Sequence, residues 1–256
     1  MFAQTFANHT PITPFIILSS VESTNNYAMA KLHAGMVQHG SCFIAIEQTS
    51  GRGQRGKQWL SNPGDNITMS TIFELLHSVS ANVTAFPFLL SASMALGCYD
   101  FIKDFGVKQV TVKWPNDLYI GDRKAAGILI ENIFRGHDWE WTVAGTGVNI
   151  NQESFPAEAI NAISLKMLTG KHYDTVKMGR KLFEFLYNRF GQLRDASTGN
   201  IMKEYNSLLY LKGEELKLKK DNIVFTARIE QVSASGELIT SGAVEQHFKV
   251  GEIEFV

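Results

Sequence analysis

The sequence predicts an α+β protein: a body of mixed strands and helices followed by a small all-β tail. Three observations predict it. Apolar residues recur at helical spacing in several long stretches, and strand-length apolar runs lie between them. After Lys212 the texture changes to short strand-like groups separated by turn residues. The 256 residues suffice for one large domain, or for a large and a small one.

The opening stretch is polar, contains Pro11 and Pro14, and leads into a short strand at Phe15–Leu18. That apolar run is far too short for a membrane span or a signal-peptide core, and no basic segment precedes it. A cytoplasmic protein is expected. Ser23-Thr24-Asn25 opens a helix carrying Tyr27, Ala28, Ala30 and Leu32. A hydroxyl residue at its start caps free N–H groups, and Gly35 just past its end closes the run. Phe43–Ile46 reads as a buried strand, Gly51–Gly64 as a loop dense in glycine and charge, and Asn66–Leu75 as an alternating strand.

Phe86–Phe105 has Leu89, Leu90, Met94, Leu96, Cys98 and Phe101 near helical spacing, with Gly106 after it. Strands are expected at Val110–Lys113, Gly127–Phe134 and Trp139–Val148, with Asp122 in the turn between Ile120 and Lys124. Helices follow at about Thr175–Arg194 and Ile201–Leu209. In the first, Val176, Phe183, Leu186, Phe190 and Leu193 share one face. From Gly213 to Val256 the apolar groups, among them Leu216, Leu218, Val224, Phe225, Val244 and Phe248, are broken by Asp221-Asn222, Ser235-Gly236 and Gly242. This is the pattern of a small barrel-like module.

Hydrophobic residues make up 45% and charged residues 19%, which excludes an intrinsically disordered chain. The net charge of -1 provides no basic field for nucleic acid. Cys42 and Cys98 are far apart and form no CxxC pair, which argues against a disulfide framework or a structural zinc site.

Four segments carry candidate chemistry. In Gly51-Arg52-Gly53-Gln54-Arg55-Gly56-Lys57-Gln58-Trp59, closely spaced glycines leave backbone N–H groups open beside three cations. Such a loop can cradle phosphate or carboxylate oxygens, and Trp59 can anchor it or cover a flat ligand. The spacing fits neither a Walker A motif nor a dinucleotide fingerprint. A solvated surface loop or a basic RNA patch remains the alternative.

In Lys113-Trp114-Pro115-Asn116-Asp117, Pro115 and Asn116 stop a strand and set Asp117 before a turn through Gly121-Asp122. Asp117 and Lys124 then lie side by side across a hairpin, where the carboxylate holds the lysine charged or accepts a proton from an incoming amine. The alternative is a plain surface pair. In Gly145-Thr146-Gly147-Val148-Asn149, the glycines let a strand pass close to a ligand and Asn149 can read an adenine or a ribose. A strand-to-loop transition explains them equally. Ser23-Thr24-Asn25 is either a simple cap or a helix start that holds a polar ring or an anion.

Taken in order, these segments, with Gln48 three residues before Gly51 and Gly-Ile-Leu after Lys124, resemble the biotin–protein ligase family. The resemblance runs from about Phe15 onward. It implies a class II synthetase-like catalytic domain, a mixed sheet flanked by helices, at 1–210, and a small SH3-like β-barrel at 211–256. It also implies an enzyme that makes biotinyl-5'-AMP from biotin and ATP with Mg²⁺ on the phosphates. The biotin would then pass to a lysine of the biotin carboxyl carrier protein of a biotin-dependent carboxylase.

On that resemblance Lys124, Asp117 and Arg52 are catalytic. Ser23, Thr24, Asn25, Gln48, Gly51, Arg52, Gly53, Gln54, Lys124 and Gly127 hold biotin. Arg52, Arg55, Trp59, Asn116, Lys124 and Asn149 hold ATP or the adenylate. No protein metal site is implied, and a monomer or a homodimer is expected. Gln54 departs from the family, where many members carry arginine, so phosphate grip would rest on Arg52, Arg55 or Lys57. The short polar lead leaves no room for the DNA-binding domain that some members carry, so no nucleic-acid partner is expected. Three rivals stay open: a lipoate- or octanoyl-transferring relative, a non-enzymatic binding module, and an RNA-binding protein.

Overall fold

The computed structural model describes residues 13–75, 79, 81–194, 198–242 and 246–256. The expectations for Pro11 and Val244 lie outside the described residues.

The body is built on a seven-stranded sheet. Its strands are β1 (Phe15–Val21), β2 (Cys42–Gln48), β3 (Asn66–Glu74), β4 (Val110–Lys113), β5 (Asp117–Ile120), β6 (Arg123–Arg135) and β7 (Asp138–Asn149). They lie in the order β1-β2-β3-β7-β6-β5-β4. Only β1 and β2 pair in parallel; the remaining neighbours are antiparallel, so the sheet is mixed as expected. A parallel pair needs a crossover, and α1 (Thr24–His33) supplies it. Gly35, at φ 66, terminates α1 by turning its own N–H onto Leu32 O and that of Met36 onto Lys31 O.

Helices α2 (Ala81–Ala85), α3 (Phe88–Lys103), α4 (Leu165–Thr169), α5 (Thr175–Gly191) and α6 (Thr198–Ser207) complete the body. The expected helix from Phe86 is α3. It begins after Pro87, which stands at the N-cap, where its missing N–H costs nothing. Asp174 caps α5 by accepting from Val176 N and Lys177 N, each at 3.0 Å. The last residues expected in this helix, Gln192–Arg194, form a single tighter turn. β5 and α4 had no clear sequence signal, because four or five residues are too few to show a period.

The tail is a five-stranded antiparallel sheet of β8 (Glu215–Lys220), β9 (Ile223–Val232), β10 (Leu238–Ser241), β11 (His247–Phe248) and β12 (Glu254–Phe255), ordered β11-β10-β9-β8-β12. The expected barrel is therefore met by a sheet that no pairing of β11 with β12 closes among the described residues. Both end strands are only two residues long.

One apolar cluster runs from the body, through Leu96, Phe101 and Leu118, into the tail, through Leu218, Ile229 and Phe248. Polar ties accompany it. Trp114 Nε1 donates to Gly236 O at 3.0 Å, and Asn206 exchanges bonds of 2.9 and 2.6 Å with the backbone of Val232. The tail is thereby held against the β4–β5 connection. Among the described residues no helix is long and apolar enough to cross a membrane. Cys42 and Cys98 are free, buried thiols, and burial pushes the Cys42 thiol up to about 12, which leaves it unreactive.

Candidate active site

A cavity of about 810 Å³ opens on one face of the large sheet and extends to the last strand of the tail. All four segments singled out in the sequence reach it.

One end is polar and buried. Ser23, Thr24, Asn25 and Ser70 are each at most 3% exposed, so their hydrogen bonds decide the shape. Ser23 stands at the N-cap of α1 with extended backbone, but its side chain makes no capping bond. The expected hydroxyl cap is replaced from outside the helix. Gln48, at the end of β2, accepts from Thr24 N at 2.7 Å and from Thr24 Oγ1 at 3.0 Å. That satisfies one of the orphan donors of a helix start and leaves the Gln48 amide group as a donor. Ser70, on β3, lies 2.8 Å from Thr24 Oγ1 and 2.5 Å from Asn25 Oδ1. Three elements, α1, β2 and β3, thus lock one hydroxyl–amide cluster at the cavity wall.

The glycine-rich loop is a small hairpin. Arg52 bridges to Gln58, Gly53 N–H bonds Lys57 O at 2.7 Å, and Trp59 N–H bonds Gly51 O at 3.0 Å. Its tip turns through Arg55 at φ 56 and Gly56 at φ 74. Of the backbone donors expected in the cradle, the Gly53 N–H is spent inside the hairpin. Gly51 does not line the large cavity. A Cβ there would stand 2.4 Å from Trp59 O, so its role is to close the hairpin base. Arg52, Gly53, Gln54, Arg55 and Trp59 do line it. Arg55 lies against the tail, its Cζ 3.1 Å from where a Gly251 Cβ would be.

The glycines of β6 and β7 line the cavity, and protein side chains lie close against them. A Cβ on Gly145 would stand 2.2 Å from Asn25 Oδ1, and one on Gly147 would stand 2.4 Å from Trp59 Cε2. Gly127 is the register partner of Gly147, and Trp59 and Lys124 both cross it at 3.2 Å. Two facing glycines therefore make a bare patch on which the indole lies. Its buried Nε1 has no hydrogen-bond partner among the described residues.

Asp117 and Lys124 meet as expected, with Oδ1 2.7 Å from Nζ. The route differs from a simple hairpin pair. Asp117 faces Gly127 in register, and Lys124 faces Tyr119 across a register slip. The lysine chain reaches back over Gly127, which lacks a side chain to block it. Asn116 lines the cavity, and its amide is tied to Ile128 O. Asn149 is buried and donates to Lys124 O at 3.2 Å, fixing the start of β6.

Residues to which the sequence reading assigned no role complete the site. Lys113, the register partner of Asp117, holds its ammonium 4.8 Å from the Tyr119 ring, 5.6 Å from Tyr210 and 4.7 Å from Phe255. Desolvation lowers its pKa, Asp117 opposes that, and the nearby cations Lys124 and Lys57 add to it. Burial pushes the Tyr119 phenol up to about 12, so it stays neutral at neutral pH. Ser70, Asn26 and Phe255 carry no local motif, and Glu131 closes the segment that begins at Lys124; tertiary packing brings all four here.

Comparison with known proteins bears on this geometry. The model of the biotin/lipoate A/B protein ligase family matches residues 17–149, more than half of the chain. The chain belongs to the biotin/lipoate A/B protein ligase family. Among curated members it is 33% identical over 145 residues to the bifunctional ligase/repressor BirA of Escherichia coli, covering 57% of this chain and 43% of that protein. It is 31% identical over 135 residues to the biotin–[acetyl-CoA-carboxylase] ligase of Paracoccus denitrificans, covering 52% and 53%. The match thus spans about half the length of these curated relatives.

The family fold extends further. The biotin protein ligase of Aquifex aeolicus in complex with biotin and ATP superposes with a TM-score of 0.76 at 24% identity, covering 95% of this chain and 98% of that one. The Leishmania major enzyme in complex with biotin gives 0.62 at 18% identity, covering 94% and 99%. These likenesses establish the fold, tail included.

Proposed function

We propose that the chain is an ATP-dependent biotin–protein ligase, with a catalytic domain at 1–210 and a C-terminal domain at 211–256. The observation that carries this reading is the convergence of Thr24–Gln48, Arg52–Trp59 and Asp117–Lys124 on one cavity. The names of the relatives support it, since biotin protein ligases of this fold have been solved with biotin and with ATP.

The chemistry follows from the charges. A carboxylate is a poor acyl donor because oxide is a poor leaving group. Attack of the biotin carboxylate oxygen on the α-phosphorus of ATP forms the acyl-adenylate and expels pyrophosphate. Two anions must approach, so cations are required. Lys124 and Arg52 supply them from the protein, and Mg²⁺ arrives with the ATP phosphates.

In this reading Ser23, Thr24 and the amide of Gln48 bond the ureido ring, and Asn25 braces them. Gly53 and Gln54 belong to the hairpin that covers the biotin carboxylate and the phosphates. Gly51 shapes its base, and Gly127 clears the path for Lys124. The Trp59 indole and Asn149 hold the adenine end, with Asn116 and Arg55 beside the nucleotide. In the second step an amine of the carrier protein attacks the anhydride carbonyl and AMP leaves. Asp117 accepts the proton that the ammonium must lose first.

Calorimetric titration with biotin, lipoate and octanoate tests the choice of acid. Binding of biotin alone supports the reading, and binding of either fatty acid without biotin removes it.

A further inference from the structure

We propose that Glu131, which lies outside the cavity lining, is a positioning residue that sets Arg52 for the anionic end of the substrate. Its functional part rests on the ligase reading above.

Arg52 carries its guanidinium from the hairpin toward the polar end of the cavity, and one of its edges is already taken. Its Nη1 stands 2.6 Å from Asn26 Oδ1, 3.0 Å from Glu131 Oε1 and 3.3 Å from Glu131 Oε2. Its Nη2 and Nε have no hydrogen-bond partner among the described residues. A guanidinium held along one edge by a carboxylate presents its remaining donors in a fixed fork, which suits a second carboxylate or a phosphate.

Glu131 is itself fixed. It projects from β6, and its Oε2 accepts from Asn25 Nδ2 at 2.8 Å. Asn25 is buried beneath Gly145 and bonded to Ser70. A continuous run of short polar contacts therefore leads from Gln48 through Thr24, Ser70, Asn25 and Glu131 to Arg52. Its first members form the polar end of the cavity, and its last member sits on the hairpin. The pair is too exposed to matter for stability, at 44% and 25% side-chain exposure. Its consequence is the orientation of Arg52.

The test is a double-mutant cycle on biotin-dependent pyrophosphate release, with Glu131→Ala and Glu131→Gln made in the wild-type and Arg52→Ala backgrounds. In the wild-type background Glu131→Ala is expected to raise the biotin KM by about tenfold, with kcat changed less than about threefold. Glu131→Gln, which keeps an acceptor oxygen, is expected to fall between. On Arg52→Ala the same change is expected to do almost nothing, because partners acting through one contact are not additive. An equal loss in both backgrounds, or none in the wild type, overturns the proposal.

Trypsin cleavage of the unliganded protein after Arg52 reads the tether without any assumption about the substrate. Faster cleavage in Glu131→Ala is expected, and equal rates overturn the tether. If biotin elicits no pyrophosphate from the wild type, the ligase reading fails and the trypsin rates alone judge the role of Glu131.

Discussion

The indole of Trp59 lies on the backbone of Gly147, so close that a methyl group there would stand 2.4 Å from Cε2 of the ring. Gly147→Ala therefore cannot coexist with the ring in place. It is expected to lower acid activation by at least about tenfold, or roughly 1.4 kcal/mol of transition-state stabilisation. It should also lower the midpoint of thermal unfolding, since overpacking strains a filled site. Adding Trp59→Ala should restore that midpoint without restoring activation. Thermal melts and pyrophosphate release on both variants check this.

Asp117 and Lys124 are expected to separate the two chemical steps. Lys124→Met removes a cation from the developing phosphate charge and should slow adenylation by about 10²–10³-fold. Asp117→Asn should slow transfer from preformed biotinyl-5'-AMP to the carrier by about 10²-fold or more, with a smaller effect on adenylation. Rapid-quench measurement of each step separates them. An Asp117→Asn enzyme that transfers at the wild-type rate across pH contradicts the assigned role.

The fold was legible where periodicity was long. The helix near Phe86, the helix from Thr175, the long strands ending at Phe134 and Val148, and the change of texture after Lys212 all stand where the pattern places them. Each buries a face wide enough to show in the sequence. β5 and α4 were not legible because they are shorter than one full pattern. In the candidate site, Gln48, Arg52, Asp117 and Lys124 could be named because each sits in a compact motif. Glu131, Ser70 and Phe255 could not be assigned roles, because what they touch lies far away in the chain. One local rule failed instructively. Ser23 looks like a cap, but Gln48 performs that task. Gly145 and Gly147 do line the cavity, with Asn25 and Trp59 lying against them.

Lys113 gives a pH signature. Burial holds its folded-state pKa below the ordinary 10.5. Between that lowered value and 10.5, the unfolded chain binds more proton than the folded one, so stability from this group rises with pH. It is fully present above 10.5 and is lost as pH falls through the folded value. Denaturant unfolding at pH 8 and pH 10 should show a gain for the wild type relative to Lys113→Met. Parallel curves for the two proteins contradict the burial of its charge.

Asn206 bonds both the N–H and the C=O of Val232, joining α6 to the tail. Asn206→Ala leaves both unpaired and is expected to cost about 1–3 kcal/mol. For a chain of this size each kcal/mol lowers Tm by roughly 2–4 °C. Because one apolar cluster spans body and tail, the loss should appear in a single cooperative transition. Calorimetry checks both the shift and the number of transitions.

The central claim is that this cavity activates biotin. Pyrophosphate release from ATP tests it most directly, with biotin, lipoate or octanoate supplied one at a time and hydroxylamine present to trap any adenylate. Release that depends on biotin alone is the predicted result. Release with lipoate or octanoate in place of biotin, or with no acid at all, would contradict it.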